Sequence, residues 1–372
     1  MLRVGIVGWR GMVGSVLMER MLAEDDFQGM QPYFFSTSQS GTEAPDIGRD
    51  VPLVEDANDI DRLSEMEIIL SCQGGGYTSQ YHPDLRKRGW QGYWIDAAST
   101  LRMQKQSIII LDPVNRHLID QALADGIKDY IGGNCTVSLM LMAIGGLFEN
   151  NLIEWMTSMT YQAAGGGGAK TMRELVAQMR AIGQDVDAVL SDPHATIAEI
   201  DRNVTATLRS DQFPTDNFGV PLAASLIPWI DSAMQNGQTR EEWKGYAETN
   251  KILGRANNPI PVDGQCVRIG SMRCHCQAFT IKLNREVPLD EIASMIAAHN
   301  RWVYVVPNEK EVTLRELSPA NISGRLEIPV GRIRKMNLGS KFLTAFTVGD
   351  QLLWGAAEPL RRMLKIVMEH IR

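Results

Sequence analysis

Cationic excess, long apolar runs and a disulfide framework are all missing from this chain. It carries five cysteines in 372 residues, too few for a disulfide scaffold, so reduced thiols are expected. Its longest apolar run, Leu139 to Phe148, is ten residues, too short to cross a bilayer. The net charge of −7 argues against a general nucleic-acid or anionic-membrane surface. An anionic substrate would therefore have to be held by a few local Arg and Lys. The opening Met1-Leu2-Arg3-Val4-Gly5 lacks signal-peptide architecture and runs directly into a strand pattern, so a cytoplasmic location is expected. Repeats and low-complexity segments are absent. What is there is an ordinary soluble composition, 44% hydrophobic and 22% charged, in a length that suits two domains.

One stretch organises the rest. Gly132-Gly133-Asn134-Cys135-Thr136-Val137-Ser138 delivers a thiol to the first turn of a helix that the following apolar run buries. A helix start collects free backbone N–H groups and the positive end of the dipole, which favour a thiolate and any oxyanion formed beside it. The competing reading is a small core cysteine. A free thiol is only about 3% ionised at pH 7, and the dipole contributes roughly 0.3 to 1 kcal/mol, less than one pKa unit. A nucleophile at Cys135 therefore needs a base. Of the six histidines, His82, His117, His194, His299 and His370 lie among polar neighbours and read as solvated. His275 lies in the extended-looking segment from Cys266 to Ile281 and is the candidate partner. The neighbouring Cys266, Cys274 and Cys276 invite a zinc reading, but side chains alternate along a strand, so His275 points away from its two neighbours. No second Cys or His pair completes a tetrahedral set, and no metal is expected.

Strands and helices alternate through the first third of the chain. Leu2 to Val7 ends at Gly8-Trp9-Arg10-Gly11-Met12-Val13-Gly14, and a helical pattern follows through Met21. In that context glycines let the backbone approach a pyrophosphate; the G-x-x-G-x-x-G spacing is a variant of the usual fingerprint, with a plain tight turn as the alternative. After Tyr33-Phe34-Phe35 come Ser36-Thr37-Ser38-Gln39-Ser40-Gly41, hydroxyls where an NAD enzyme usually offers a carboxylate. With Arg10 available, this favours NADP. Further apolar runs end at Ser71-Cys72-Gln73, Asp96 and Asp112, as on an open parallel sheet, so the expected fold is α/β with a Rossmann-type NADP-binding domain. Arg102 is either a surface charge or an anion ligand. Ile153 to Ala163 reads as a strand, and Gly165 to Gly168 as a second backbone surface or a flexible connector. Thr239 to Lys244 reads as a capped, solvated first helical turn. Leu360, Met363, Leu364, Val367 and Ile371 predict a closing amphipathic helix.

Gly8 to Ser15, Phe34 to Ser38, Gly132 to Thr136, Glu241 to Lys244, Arg273-Cys274-His275 and Val348 to Gln351 make the chain resemble, over essentially its whole length, the bacterial aspartate-β-semialdehyde dehydrogenase family. The resemblance implies reductive dephosphorylation of L-aspartyl 4-phosphate to L-aspartate 4-semialdehyde with NADP, on the route to lysine and diaminopimelate, methionine, threonine and isoleucine. Cys135 would form a thioester, His275 would serve as acid and base, and Gln162 would orient the acyl group. Moving a proton from an unperturbed thiol to an unperturbed imidazole costs roughly 2.7 kcal/mol. By the same resemblance Arg268 would pair with the α-carboxylate and Glu241 with the α-ammonium, while Arg102, Asn134 and Lys244 would hold phosphate. Cofactor contacts would come from Gly8, Arg10, Gly11, Met12, Val13, Gly14, Thr37, Ser38, Gln73, Gly165, Gly166, Pro193 and Gln351. At position 165 relatives are expected to carry Ser, so only backbone contact remains there. The implied division is residues 1–133 with 355–372 for the dinucleotide, and 134–354 as an α+β catalytic and dimerisation domain of a homodimer.

Three other readings compete. An N-acetylglutamyl-phosphate or glyceraldehyde-phosphate dehydrogenase would share the Cys and His chemistry but has no use for Glu241 in the site. A NADP-sensing binding protein would leave Cys135 inert, and a structural zinc protein would need bound metal.

Overall fold

The computed structural model describes all 372 residues. Its first part builds a seven-stranded, all-parallel sheet from β1 (Leu2–Val7), β2 (Met30–Ser36), β3 (Glu55–Asp56), β4 (Ile68–Ser71), β5 (Tyr93–Asp96), β6 (Ser107–Ile110) and β7 (Asp129–Gly132), in the order β3-β2-β1-β4-β5-β7-β6. Strand order reverses at β1, and a crevice opens at the carboxyl ends there, the place where open sheets bind ligands. Both faces of the sheet are covered. Val4, Ile6, Ile68 and Leu70 pack with Leu17, Leu360 and Val367, while Val7, Phe35, Ile69 and Trp94 belong to the core of the opposite face. Because successive side chains alternate, both sets must be apolar, which is why these strands read as unbroken apolar runs. The amphipathic helix Glu358–Ile371 closes the first of those faces.

β7 slots between β5 and β6, so Gly132 ends inside the sheet and the chain turns directly into the helix Cys135–Glu149. Every residue from Thr136 to Phe148 is buried. At about 1.5 to 3 kcal/mol for each fully buried Val, Leu, Ile or Phe side chain, the apolar run fixes the axis that carries Cys135. The backbone departs from helical angles at Ile144, with φ −121° and ψ 18°, and Asn300 Nδ2 donates to Met142 O nearby at 2.9 Å. An inserted side chain of this kind is an ordinary cause of a helix kink.

The second sheet is mixed. It is built from β8 (Ile153–Ala163), β9 (Leu226–Ile227), β10 (Val262–Asp263), β11 (Cys266–Ile269), β12 (His275–Leu283), β13 (Val303–Val305), β14 (Ile328–Met336) and β15 (Gly339–Gly349). Its order is β13-β14-β15-β12-β8-β11-β9, with β10 also on β8. Arg268 pairs in register with Gln162, and Cys276 with Tyr161. The ends of β8 and β11 and the start of β12 thus gather Gln162, Arg268 and His275. The segment from Cys266 to Ile281, continuous by sequence, is two strands broken by a turn. In that turn Cys274 takes φ 72°, a left-handed conformation that costs a residue with a Cβ about 1 to 2 kcal/mol. Its N–H donates to Gln351 Oε1 at 2.7 Å, which holds the turn that aims His275.

Candidate active site

Cys135 is the first residue of its helix, and Asn134 is the cap. Asn134 Oδ1 accepts from Thr136 N at 3.0 Å and Val137 N at 3.2 Å. The sequence reading left those N–H groups free for an oxyanion. The cap takes two of them, and Cys135 N–H is the helix-start donor it leaves over.

His275 Nε2 lies 3.3 Å from Cys135 Sγ. Ala163 N–H donates to Nδ1 at 3.1 Å, so the neutral ring at rest carries its proton on Nε2, facing the sulfur; Nε2 can take the thiol proton only in the other tautomer, with Nδ1–H turned away from Ala163. Burial pushes the thiol up to about 12; Glu241 adds to the rise, while Arg268, Lys244 and Arg102 oppose it. Burial, with help from Arg268, pushes the imidazole down to about 3. Both shifts run against charge separation, so the resting pair is a neutral thiol and a neutral imidazole. A thiolate and an imidazolium formed together carry no net charge and attract across the contact, so transfer concerted with attack escapes most of the penalty that either charge would meet alone. The raised thiol has a direct consequence. Alkylation of Cys135 by neutral iodoacetamide should be slow at pH 7 and rise about tenfold per pH unit up to pH 9. A rate already on a plateau at pH 6 would mean a preformed ion pair.

Around the sulfur Glu241, Lys244 and Arg102 have charged partners, whereas Arg268 has none. Glu241 accepts from Asn134 Nδ2 at 2.9 Å and Gln162 Nε2 at 3.2 Å, and faces Lys244 Nζ at 2.9 Å. Burial raises its carboxyl, but Lys244, Asn134 and Gln162 outweigh that and hold it below the usual range, so it is a carboxylate. Lys244 also bonds Asp231 at 2.8 Å. These two carboxylates keep its ammonium charged despite burial. Both Glu241 and Lys244 are buried, which corrects the solvated-turn reading: acidic residues at a helix start suit solvent and a lined cleft equally well. Arg268 donates to Ala163 O at 2.8 Å. Arg102 is buried, not a surface charge: its Nε donates to Gly132 O at 2.8 Å and its guanidinium meets Glu248 at 2.9 Å.

A cleft of about 560 Å³ brings Arg102, Asn134, Cys135, Gln162, Glu241, Lys244 and Arg268 together with Met12, Val13, Gly165, Gly166 and Gln351. A smaller cavity of about 130 Å³ at the β1 and β2 ends is lined by Gly8, Arg10, Gly11, Thr37, Ser38 and Gln73, and carries no carboxylate. The backbone there suits a dinucleotide. Gly8 has φ +76°, and a Cβ on it would stand 2.6 Å from Gln73 N. A Cβ on Gly14 would stand 2.7 Å from the Trp9 backbone, so both glycines are required for the turn to close on the helix. Gln351 Nε2 is buried without a partner and stands where a Cβ on Gly165 would reach it at 2.7 Å. Gly165 and Gly166 lie in a tight turn, Ala164–Gly167, and not in a connector. Pro193 lies exposed between the helices Ala169–Ser191 and Ile197–Leu208 and lines neither cavity.

Sequence reasoning missed Glu248 and Asp231. For Glu248 a signal existed: Glu241, Lys244, Glu248 and Lys251 share one face at helical spacing. Two histidines read as solvated are covered: His82 is buried against Asp129 at 2.9 Å, and the half-buried His299 has its side chain covered beside Glu149 at 3.3 Å. Their acidic partners are distant in sequence or on another element. No three Cys, His, Asp or Glu come together as a metal site.

A thiol beside a dinucleotide crevice can hold a carbonyl carbon on sulfur while its oxidation level changes, so the class defined here is the thiol-dependent, nucleotide-dependent oxidoreductases. Residues 3–122 match the semialdehyde dehydrogenase NAD binding domain, and residues 144–354 the semialdehyde dehydrogenase dimerisation domain. The chain belongs to the semialdehyde dehydrogenase family, among the aspartate semialdehyde dehydrogenases. The aspartate semialdehyde dehydrogenase of Francisella tularensis is 48% identical, with 99% of this chain and 100% of that one covered and a TM-score of 0.94. Two remoter structures share the fold. Aspartate semialdehyde dehydrogenase II of Vibrio cholerae, complexed with ASA, is 22% identical over 99% of this chain and 98% of that one, with TM-score 0.79. The Candida albicans enzyme with NADP is 16% identical over 100% and 98%, with TM-score 0.63.

Proposed function

We propose that this chain reduces L-aspartyl 4-phosphate to L-aspartate 4-semialdehyde, releasing inorganic phosphate, in the biosynthesis of lysine and diaminopimelate, methionine, threonine and isoleucine. The observation that carries the reading is the Cys135–His275 contact of 3.3 Å in a cleft that also holds Arg268 and the carboxylate of Glu241. Those opposite charges suit the α-carboxylate and α-ammonium of an aspartyl group. An N-acetylated amine or glyceraldehyde phosphate would bring no ammonium to Glu241 and leave Lys244 as its one charged partner, which disfavours both related dehydrogenases.

Cys135 Sγ attacks the acyl carbon as its proton passes to His275 Nε2, the ring then being in the tautomer that carries its own proton on Nδ1. Gln162 orients the acyl group, and phosphate departs toward Arg102, Asn134 and Lys244, leaving a thioester on sulfur. NADPH, when bound, supplies the hydride that reduces this thioester. His275 gives its proton to the oxygen that gains charge, then takes it back as the carbon–sulfur bond breaks, and the thiol is restored. Arg10, Thr37 and Ser38 would hold the 2'-phosphate of NADP, since their cavity has hydroxyls and a guanidinium and no carboxylate to repel it. The turns at Gly8 to Gly14 and Gly165-Gly166, with Gln73 and Gln351, would hold the rest.

The same reading assigns residues 1–133 with 355–372 to the dinucleotide, supported by the packing of Leu360 and Val367 on Val4 and Ile6, and 134–354 to catalysis and homodimer contact. No helix is long and apolar enough to cross a membrane; a cytoplasmic enzyme without nucleic-acid partners fits the composition. The test is NADP reduction with L-aspartate 4-semialdehyde, with and without inorganic phosphate. Sustained turnover is expected only with phosphate. Turnover indifferent to phosphate would make water the acceptor and overturn the acyl-phosphate assignment.

A further inference from the structure

The helix Arg240–Ile252 carries a stripe of alternating charge, Glu241, Lys244, Glu248 and Lys251. The first two line the cleft; the last two do not. Glu248 is 1% exposed. One of its oxygens accepts from Arg102 Nη1 at 2.9 Å, and the other accepts the main-chain N–H of Asn134 at 2.7 Å. Arg102 is further tied through Nε to Gly132 O at 2.8 Å. From one helical turn beyond Glu248, Lys251 Nζ donates to Arg102 O at 2.7 Å and Gln104 O at 2.6 Å. Burial raises the Glu248 carboxyl in spite of Arg102 and the Asn134 N–H, the cost of a carboxylate taken out of water. A group retained against that cost, joining a cleft guanidinium to the residue before the nucleophile, has more to do than fill space.

We propose that Glu248 is a positioning residue for phosphate exchange. With Nε and one Nη1 proton of Arg102 engaged, the guanidinium is fixed in one plane, and its remaining N–H groups serve a tetrahedral oxyanion in the cleft. The second oxygen sets where the chain enters the Cys135 helix, so the anion ligand and the nucleophile share one reference point. Glu248 touches no substrate and acts through Arg102 and Asn134. The proposal rests on Arg102 being a phosphate ligand, as read above.

The test is the phosphorylating oxidation of L-aspartate 4-semialdehyde by Glu248→Gln, Arg102→Ala and the double variant. The amide keeps the volume but must set an N–H₂ against one of its two donors. KM for phosphate should rise about tenfold or more in each single variant, while KM for the semialdehyde and NADP stay within about threefold. In the double variant the loss due to Glu248→Gln should shrink to the part carried by Asn134 alone, because Glu248 then has no guanidinium to place. An unchanged phosphate KM in Arg102→Ala would overturn the reading of Arg102. A raised one there with none in Glu248→Gln, or effects that multiply in the double variant, would overturn the role of Glu248. Should the Gln variant fail to fold, Glu248→Asp, which keeps the charge but is too short to bridge both partners, carries the same expectation.

Discussion

Cys135→Ala lowers kcat for the reduction of L-aspartyl 4-phosphate by about 10⁴-fold or more, while NADP affinity stays within about threefold. Alanine removes the atom on which the thioester would form and leaves His275 with nothing to deprotonate. The surroundings should survive the change. Asn134 caps the helix through Thr136 N and Val137 N, not through the thiol. Gly355 stands against the Cys135 Cβ, which alanine keeps: a Cβ placed on Gly355 would come within 2.7 Å of it. The cavity at Gly8, Arg10, Thr37 and Ser38, to which the proposed function assigns NADP, does not include residue 135. Steady-state turnover and a direct binding titration with NADP separate the two effects. Activity above about 1% of wild type, with NADP binding intact, would remove the covalent intermediate from the mechanism.

Much of this arrangement was legible in the sequence, and the parts that were not share a cause. The β1 strand, its glycine turn and the following helix announce themselves because a buried parallel strand must be apolar on both faces and the turn must lack side chains. Cys135 was visible because two glycines and an apolar run frame it. His275 was reached by elimination across 140 positions of sequence separation. What stayed hidden were partners. Nothing local to Glu248 says that it bonds Asn134, and nothing at His82 says that Asp129 lies against it. Hydrophobic periodicity reports that a face is buried, not what it is buried against. The division of Cys266 to Ile281 into two strands was hidden for a related reason: the break depends on a left-handed Cys274, a conformation held by Gln351 from far along the chain. Gly355 shows the same limit. It lies in a tight turn, Leu353–Ala357, and its lack of a side chain matters because Cys135 stands against it.

Arg268→Leu lowers kcat/KM for L-aspartate 4-semialdehyde by roughly 10²- to 10⁴-fold, the effect of about 3 to 5 kcal/mol expected when a buried charge pair loses one partner. Leucine keeps an apolar stem in place of the Arg268 chain but cannot pair with the substrate α-carboxylate, which would then be bound without a counter-charge. Arg268→Lys should recover only part of the loss, because an ammonium is a point charge and cannot make the two parallel bonds of a guanidinium. A second readout follows from the electrostatics. Arg268 opposes the rise of the Cys135 thiol and adds to the depression of the His275 imidazole. Removing this cation therefore makes the thiol harder to ionise and the imidazole easier to protonate, so iodoacetamide alkylation of Cys135 at pH 8 should slow in Arg268→Leu and recover in Arg268→Lys. The two readouts together separate substrate recognition from activation of sulfur: kcat/KM needs both the charge and its planar geometry, whereas alkylation needs the charge alone. A kcat/KM within about threefold of wild type in the Leu variant would show that the α-carboxylate binds elsewhere in the cleft.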